Sequence, residues 1–207
     1  KMLVASCRFL QRCSVNLAGG RFMSVLNALP SSRASNVKKI SESDLISVEE
    51  YEKHRRDLAK LQKIPLKSLR RVEFGPSASV LFTNYDLIWF QIHEMLRIEK
   101  GGQAQVKDEL EAYKDLIPKG GELVGCLMYE IENKVKRQAF LERMVGSEHD
   151  TTISFGGEAV RGVPIRDDID RTHPGTGRTS AVHFLRWTFA PHQVDRLRAA
   201  HDAAEGA

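Results

Sequence analysis

The chain is 207 residues long, 42% hydrophobic and 28% charged, with a formal net charge of +4. No run approaches the roughly 18 consecutive apolar residues that a bilayer-crossing helix needs. Of the three cysteines, Cys7, Cys13 and Cys126, only Cys126 lies beyond residue 40, which excludes an internal disulfide or a self-supplied iron–sulfur cluster in the body.

Residues 1–40 hold seven of the 31 Lys and Arg and none of the 27 acids, so the remaining 167 residues carry 24 bases against 27 acids, a net −3. A body of that sign has no nucleic-acid footprint, and nucleic acid is not an expected partner. Within residues 3–17, Leu3, Val4, Cys7, Leu10 and Leu17 recur at helix-like spacing among basic residues. Gly19-Gly20 ends that pattern, and Arg21-Phe22-Met23-Ser24 reads as a processing site. An acid-free leader rich in Arg, Ser and small apolar residues matches a mitochondrial import sequence. An arm of this composition buries too little apolar surface to order alone. It is therefore expected to lie along a partner through Arg8, Phe9, Arg12, Arg21 and Phe22, with an anionic membrane surface as a further contact.

Two regions are expected: the arm, 1–40, and one α+β domain, 41–207. Ser41 to Asp44 starts a helix running to Leu61, closed by Pro65. Arg71–Phe74 and Ala78–Phe82 make a hairpin across Gly75-Pro76. Asn84 or Asp86 caps a helix that stops at Gly101-Gly102, with Ile88, Ile92, Met95 and Ile98 or Glu99 along one face. A helix over 103–116 follows. Leu123–Ile131 is apolar on both faces and reads as a central strand. Asn133–Val145 is helical. Thr151–Phe155 and Ala159–Ile165 form a second hairpin around Gly156-Gly157, then a polar loop leads to a strand at 181–189. Pro191 opens the last helix. Strands grouped in hairpins predict α+β, with a mainly antiparallel sheet flanked by helices.

The motifs exclude more chemistry than they offer. His173-Pro-Gly-Thr-Gly-Arg-Thr-Ser180 lacks the spacing, the Lys and the following helix of a phosphate loop. Arg178 in it suits a partner's carboxylate. No Glu-x-x-His pair occurs, so a di-iron carboxylate bundle is excluded. No nucleophile elbow is present, and Cys126 has no activating neighbour in sequence. His93, near Arg97 one turn on, reads as a surface or interface contact. His183 reads as a satisfied core group on the strand face of Leu185, Trp187 and Phe189. His93, His149 and His183 are the candidate metal ligands should they converge. No cofactor is expected.

Three stretches, LFTNYDLIWFQIHEMLRIEK (81–100), YKDLIPKGGELVGCLMYEI (113–131) and MVGSEHDTTISFGG with RTSAVHFLRWTF (144–189), resemble the family catalogued as domain of unknown function 3501. The resemblance spans about residues 40–200. It implies a compact protein without established activity, whose bacterial members are encoded beside rubrerythrin-like and iron–sulfur oxidoreductase proteins. Its motif positions here are Gln91, Glu94, Arg97, Thr179, Ser180, His183 and Arg186. Arm and body together point to a non-catalytic accessory subunit of a mitochondrial respiratory electron-transport complex, in the matrix or at the inner membrane, bound to other subunits. The alternative expectation is a metal-binding or redox-associated matrix enzyme of a rubrerythrin-type peroxide system.

Overall fold

The computed structural model describes residues 39–61, 67, 70–166 and 172–205. The fold is α+β with a mainly antiparallel sheet. It divides into two compact units: a helical one built from the described residues before 70 and Thr83–Lys119, and one from Arg70–Phe82 and the chain beyond Gly120, which carries every described strand.

The helical unit begins with a 3₁₀ turn, Glu42–Asp44, where the Asp44 carboxylate takes the Ser41 N–H at 2.8 Å. The first α-helix, α1 (Val48–Leu61), starts later than the sequence suggests. Ser47 explains the delay: its hydroxyl accepts the Glu50 N–H at 3.2 Å, so 45–47 stays an extended linker between turn and helix. Helix α2 (Tyr85–Glu99) is capped by Asn84, whose side chain accepts the Leu87 N–H. It ends at Lys100, which adopts a left-handed conformation (φ 53°) ahead of the two glycines expected to stop it. The buried arc of α2 also departs from the predicted stripe. Ile88 and Ile92 are inside, but Ile98 is 60% exposed and the arc turns through Trp89, His93 and Leu96. The Trp89 indole offers more apolar area than Ile98 and decides which way the helix faces. Helix α3 (Gly102–Tyr113) then runs into a short 3₁₀ turn, Lys114–Leu116.

In the second unit the five-stranded sheet has the order β1-β2-β3-β7-β6 and is antiparallel throughout: β1 Arg71–Phe74, β2 Ala78–Phe82, β3 Glu122–Tyr129, β6 Val163–Pro164, β7 Val182–Thr188. A separate ribbon pairs β4 (Thr152–Phe155) with β5 (Glu158–Arg161). The unit's helices are α4 (Lys134–Arg143), capped by Asn133, and α5 (Pro191–Glu205). Its core gathers Val80, Phe82, Leu127, Leu185, Trp187 and Phe189 with ribbon residues Ile153 and Val160. The strand expected over 159–165 is split: β5 belongs to the ribbon and β6 to the large sheet. Gly162 is the switch, since a Cβ there would lie 2.7 Å from the Trp187 indole nitrogen. Only glycine lets the backbone pass that ring.

Candidate functional site

The arm residues Arg8, Phe9, Arg12, Arg21 and Phe22 lie outside the described residues. Within them, the richest setting for function is the linker 45–47 in the helical unit. Helix α2 holds it by two hydrogen bonds. The Trp89 indole N–H donates to the Asp44 carbonyl at 2.8 Å, and the Ile46 N–H donates to His93 Nε2 at 3.2 Å. His93 Nδ1 in turn donates to the Trp89 carbonyl at 2.8 Å. Those partners fix the tautomer: Nδ1 carries the proton and Nε2 presents its lone pair. His93 is 2% exposed, stacked on Tyr51 with centroids 4.9 Å apart and tilted against Trp89 at 3.8 Å. The surface contact expected of His93 is thus replaced by full burial, and both ring nitrogens are occupied by backbone. Burial pushes its pKa below the ordinary value, while the hydrogen bond to the Trp89 carbonyl acts the other way.

The linker forms one wall of an open cleft of about 640 Å³. Its lining includes Leu45, Ile46, Val48, Leu96 and Val106, together with the exposed Glu42, Glu49, Lys100 and Gln103. Side chains brace this opening from below. Gln103 hydrogen-bonds Glu42, and Gln105 accepts the Gly101 N–H at 2.7 Å while donating to the Met95 carbonyl and the Glu99 and Glu109 carboxylates. Gly101 permits that clasp, because a Cβ would come within 2.9 Å of the Gln105 side chain. Glu49 is held below the usual carboxylate range by its own backbone N–H first and the Ser47 hydroxyl second, so it is charged at neutral pH. The volume is that of an ordinary ligand site, with an apolar floor and few polar groups at its edge.

Beside His93, Glu94 collects the charged groups of the unit. It accepts from Tyr51 Oη at 2.7 Å, from Arg55 through both carboxylate oxygens at 2.8 and 3.1 Å, and from Arg97 at 3.2 Å. Burial pushes Glu94 upward, but the Arg55 and Tyr51 hydrogen bonds outweigh it and leave the carboxyl at about 2. Tyr51 is raised by burial first and by Glu94 second. Sequence reasoning paired Arg97 with His93; the neighbour Glu94 takes that role. Tyr51 and Arg55 were findable as an i,i+4 pair on one face of α1, yet the partner that gives them meaning is far away in sequence.

In the sheet unit His183 is 1% exposed and on the core face of β7, as its strand position predicts. Its Nε2 lies 2.9 Å from the Ser180 carbonyl and 3.3 Å from Thr179 Oγ1; its Nδ1 lies 4.0 Å from the Glu148 carboxylate. The order hydroxyl, imidazole, carboxylate is that of a nucleophilic relay. The chemistry is not. Nε2 must carry a proton to satisfy the Ser180 carbonyl, and so it has no lone pair with which to take one from Thr179. The site is a buried polar nest, extended by Tyr129, whose ring stands edge-on to His183 and whose hydroxyl is 2.5 Å from Ser147.

His149, the third histidine proposed as a ligand, is exposed on a 3₁₀ turn, Ser147–Asp150; its predecessor Glu148 is the residue that reaches His183. Among the described residues no three His, Cys, Asp or Glu side chains converge as metal ligands. Arg178 is half-buried in a turn closed on itself, in which its carbonyl takes the His173 N–H and the His173 carbonyl takes the Gly177 N–H. The Thr176 and Gly177 amides thus serve the turn itself, while the Thr179 amide donates to the Leu141 carbonyl.

The family model described as protein of unknown function (DUF3501) matches residues 39–206. The chain belongs to this family. A protein of unknown function from Burkholderia pseudomallei has a solved structure similar to it, at 34% identity over 78% of this chain and 82% of the other, with a TM-score of 0.70. None of the curated proteins compared with it matches. These findings correct the expected function and address. The family is one of unknown function and the structural relative is bacterial; nothing in either is mitochondrial or respiratory, so the accessory-subunit reading, its peroxide-system alternative and the matrix or inner-membrane location are withdrawn.

Proposed function

We propose that members of this family with this cleft are binding proteins that take a basic, amphipathic polypeptide segment between the 45–47 linker and helices α2 and α3. One observation carries the reading: the cleft of about 640 Å³ has an apolar floor of Leu45, Ile46, Leu96 and Val106 under a rim bearing Glu42 and Glu49. Apolar side chains of a partner fill the cleft and its Lys or Arg meet the two carboxylates, while Lys100 remains for backbone carbonyls. The same acids disfavour a phosphate backbone, which supports a protein partner over nucleic acid. Because Glu42–Gln103 and Gln105–Gly101 already brace the walls, little ordering is spent on binding.

The probe is a synthetic peptide of residues 1–17, which has the required basic, apolar character. Titrated into the full chain, it is expected to bind with Kd in the range of ~1–100 µM, more weakly at high salt. Reversing the rim with Glu42→Lys and Glu49→Lys should weaken it about tenfold or more. Equal binding of a version with Glu at every basic position, or indifference to the rim reversal, overturns the proposal.

A further inference from the structure

We infer that His93 is a proton-operated latch on this cleft. With Nε2 unprotonated, its lone pair holds the Ile46 N–H and seats the wall; with Nε2 protonated, one donor faces another and the wall is released. The regulation matters for function only if the cleft is the binding site just proposed, but the latch itself stands on separate geometry.

Three features make the latch. First, the linker 45–47 lies between the Glu42–Asp44 turn and α1 and is tied by backbone bonds at its ends, Leu45 N–H to the Glu42 carbonyl and Tyr51 N–H to the Ser47 carbonyl, so its middle depends on side-chain contacts. Second, of the side-chain contacts that reach it, the Trp89–Asp44 bond pins its leading end and the His93–Ile46 bond its middle. Only the second depends on an ionisable imidazole. Third, the imidazole cannot turn to escape. Its opposite nitrogen is tied to the Trp89 carbonyl, and Tyr51 and Trp89 both pack against the ring. Protonation thus converts a satisfied acceptor into a buried donor–donor conflict, which the extended linker is better placed to relieve than α2.

The elements packed around the ring carry, among other ionisable groups, Tyr51, Glu52, His54 and Arg55 on α1, Glu42 and Asp44 on the turn, and Glu94 and Arg97 on α2. Glu94 favours the imidazolium, but its carboxylate is shared among Arg55, Arg97 and Tyr51, so burial dominates and depresses the folded pKa. The sign follows. The latch is fully closed above the ordinary value of 6.5 and opens as pH falls through the lower folded value. Acidification therefore frees the wall, and a ligand seated at neutral pH is let go.

Amide hydrogen exchange on the full chain, resolved at Ile46 and corrected for the intrinsic pH dependence, tests this from pH 7.5 down to the lowest pH at which the Leu127 and Leu185 amides remain protected. Protection at Ile46 should fall at least about tenfold on acidification while the Leu127 and Leu185 amides keep theirs. In His93→Gln the side-chain carbonyl still accepts but does not titrate, so the pH dependence should vanish. Should that variant not fold, ring ¹⁵N shifts of the unaltered protein decide: an Nε2 without hydrogen at pH 7.5 supports the latch and an Nε2–H tautomer overturns it. Ile46 protection that does not change with pH also overturns it. Peptide 1–17 titrated at the two ends of this pH range keeps the two proposals apart: exchange that responds to pH without peptide binding removes the cleft reading alone, and peptide binding without an exchange response removes the latch alone.

Discussion

Among the described residues, each unit of this protein buries one histidine almost completely, and the two solve the same problem in opposite ways. His93 spends both ring nitrogens on backbone groups, one from its own helix and one from the linker in front of α1. His183 spends Nε2 on the Ser180 carbonyl and turns Nδ1 toward a carboxylate 4.0 Å away. Interior imidazole is costly unless hydrogen-bonded, so each must be satisfied. What differs is what is tied down. His93 fixes a segment that lines an opening to solvent, whereas His183 joins the end of one strand to a 3₁₀ turn beneath the surface. Burial alone would have ranked them equal; the identity of the acceptor and donor assigns one to a movable wall and the other to the framework.

The largest test removes the framework around His183. Leu185 is completely buried two residues further along the same face, and Leu185→Ala should cost about 3 kcal/mol in chemical denaturation, without altering Ile46 exchange below the unfolding transition. Substituting Gly162→Val forces a side chain against Trp187 and should cost about 2 kcal/mol, read as a lowered denaturation midpoint. In the helical unit Glu94→Gln weakens the hydrogen bonds to Arg55, Arg97 and Tyr51 and should cost about 2 kcal/mol at pH 7. Its pH signature is distinct. A carboxyl depressed to about 2 contributes stability that is complete above its ordinary 4.5 and lost as pH falls from there toward 2, so the variant should lose that acid-sensitive portion. The His93 contribution disappears at higher pH, below 6.5, and the two phases should separate in a stability profile. His93→Phe keeps the ring stack but orphans the Ile46 N–H, with an expected cost of about 1 kcal/mol. Smallest is Arg196→Ala, which removes an exposed pair with Glu158 and should change stability by no more than about 0.5 kcal/mol.

Local chemistry was legible wherever it acted alone. The β2 bounds, the Asn84 cap, the core position of His183 and Pro191 opening α5 all follow from neighbours within a few residues. Tertiary causes were not. The strand split at Gly162 comes from Trp187, 25 positions away. His93 was misplaced because the aliphatic spacing on α2 suggested a face through Ile98, whereas the buried arc runs through Trp89, His93 and Leu96. At 148–149 the choice between adjacent side chains was decided by the phase of a single 3₁₀ turn, which composition does not encode. The cleft joins the 42–49 stretch to residues 96–106, and no pattern within either one announces the other.

The rims of the five-stranded sheet carry a consequence for colloidal behaviour. One rim strand is two residues long and ends in Pro164, which has no N–H to give; the other, β1, bears Arg71 and Glu73. Such borders offer poor templates for a foreign strand, so concentrated preparations should resist fibre growth and any companion must dock on side chains rather than by extending the sheet.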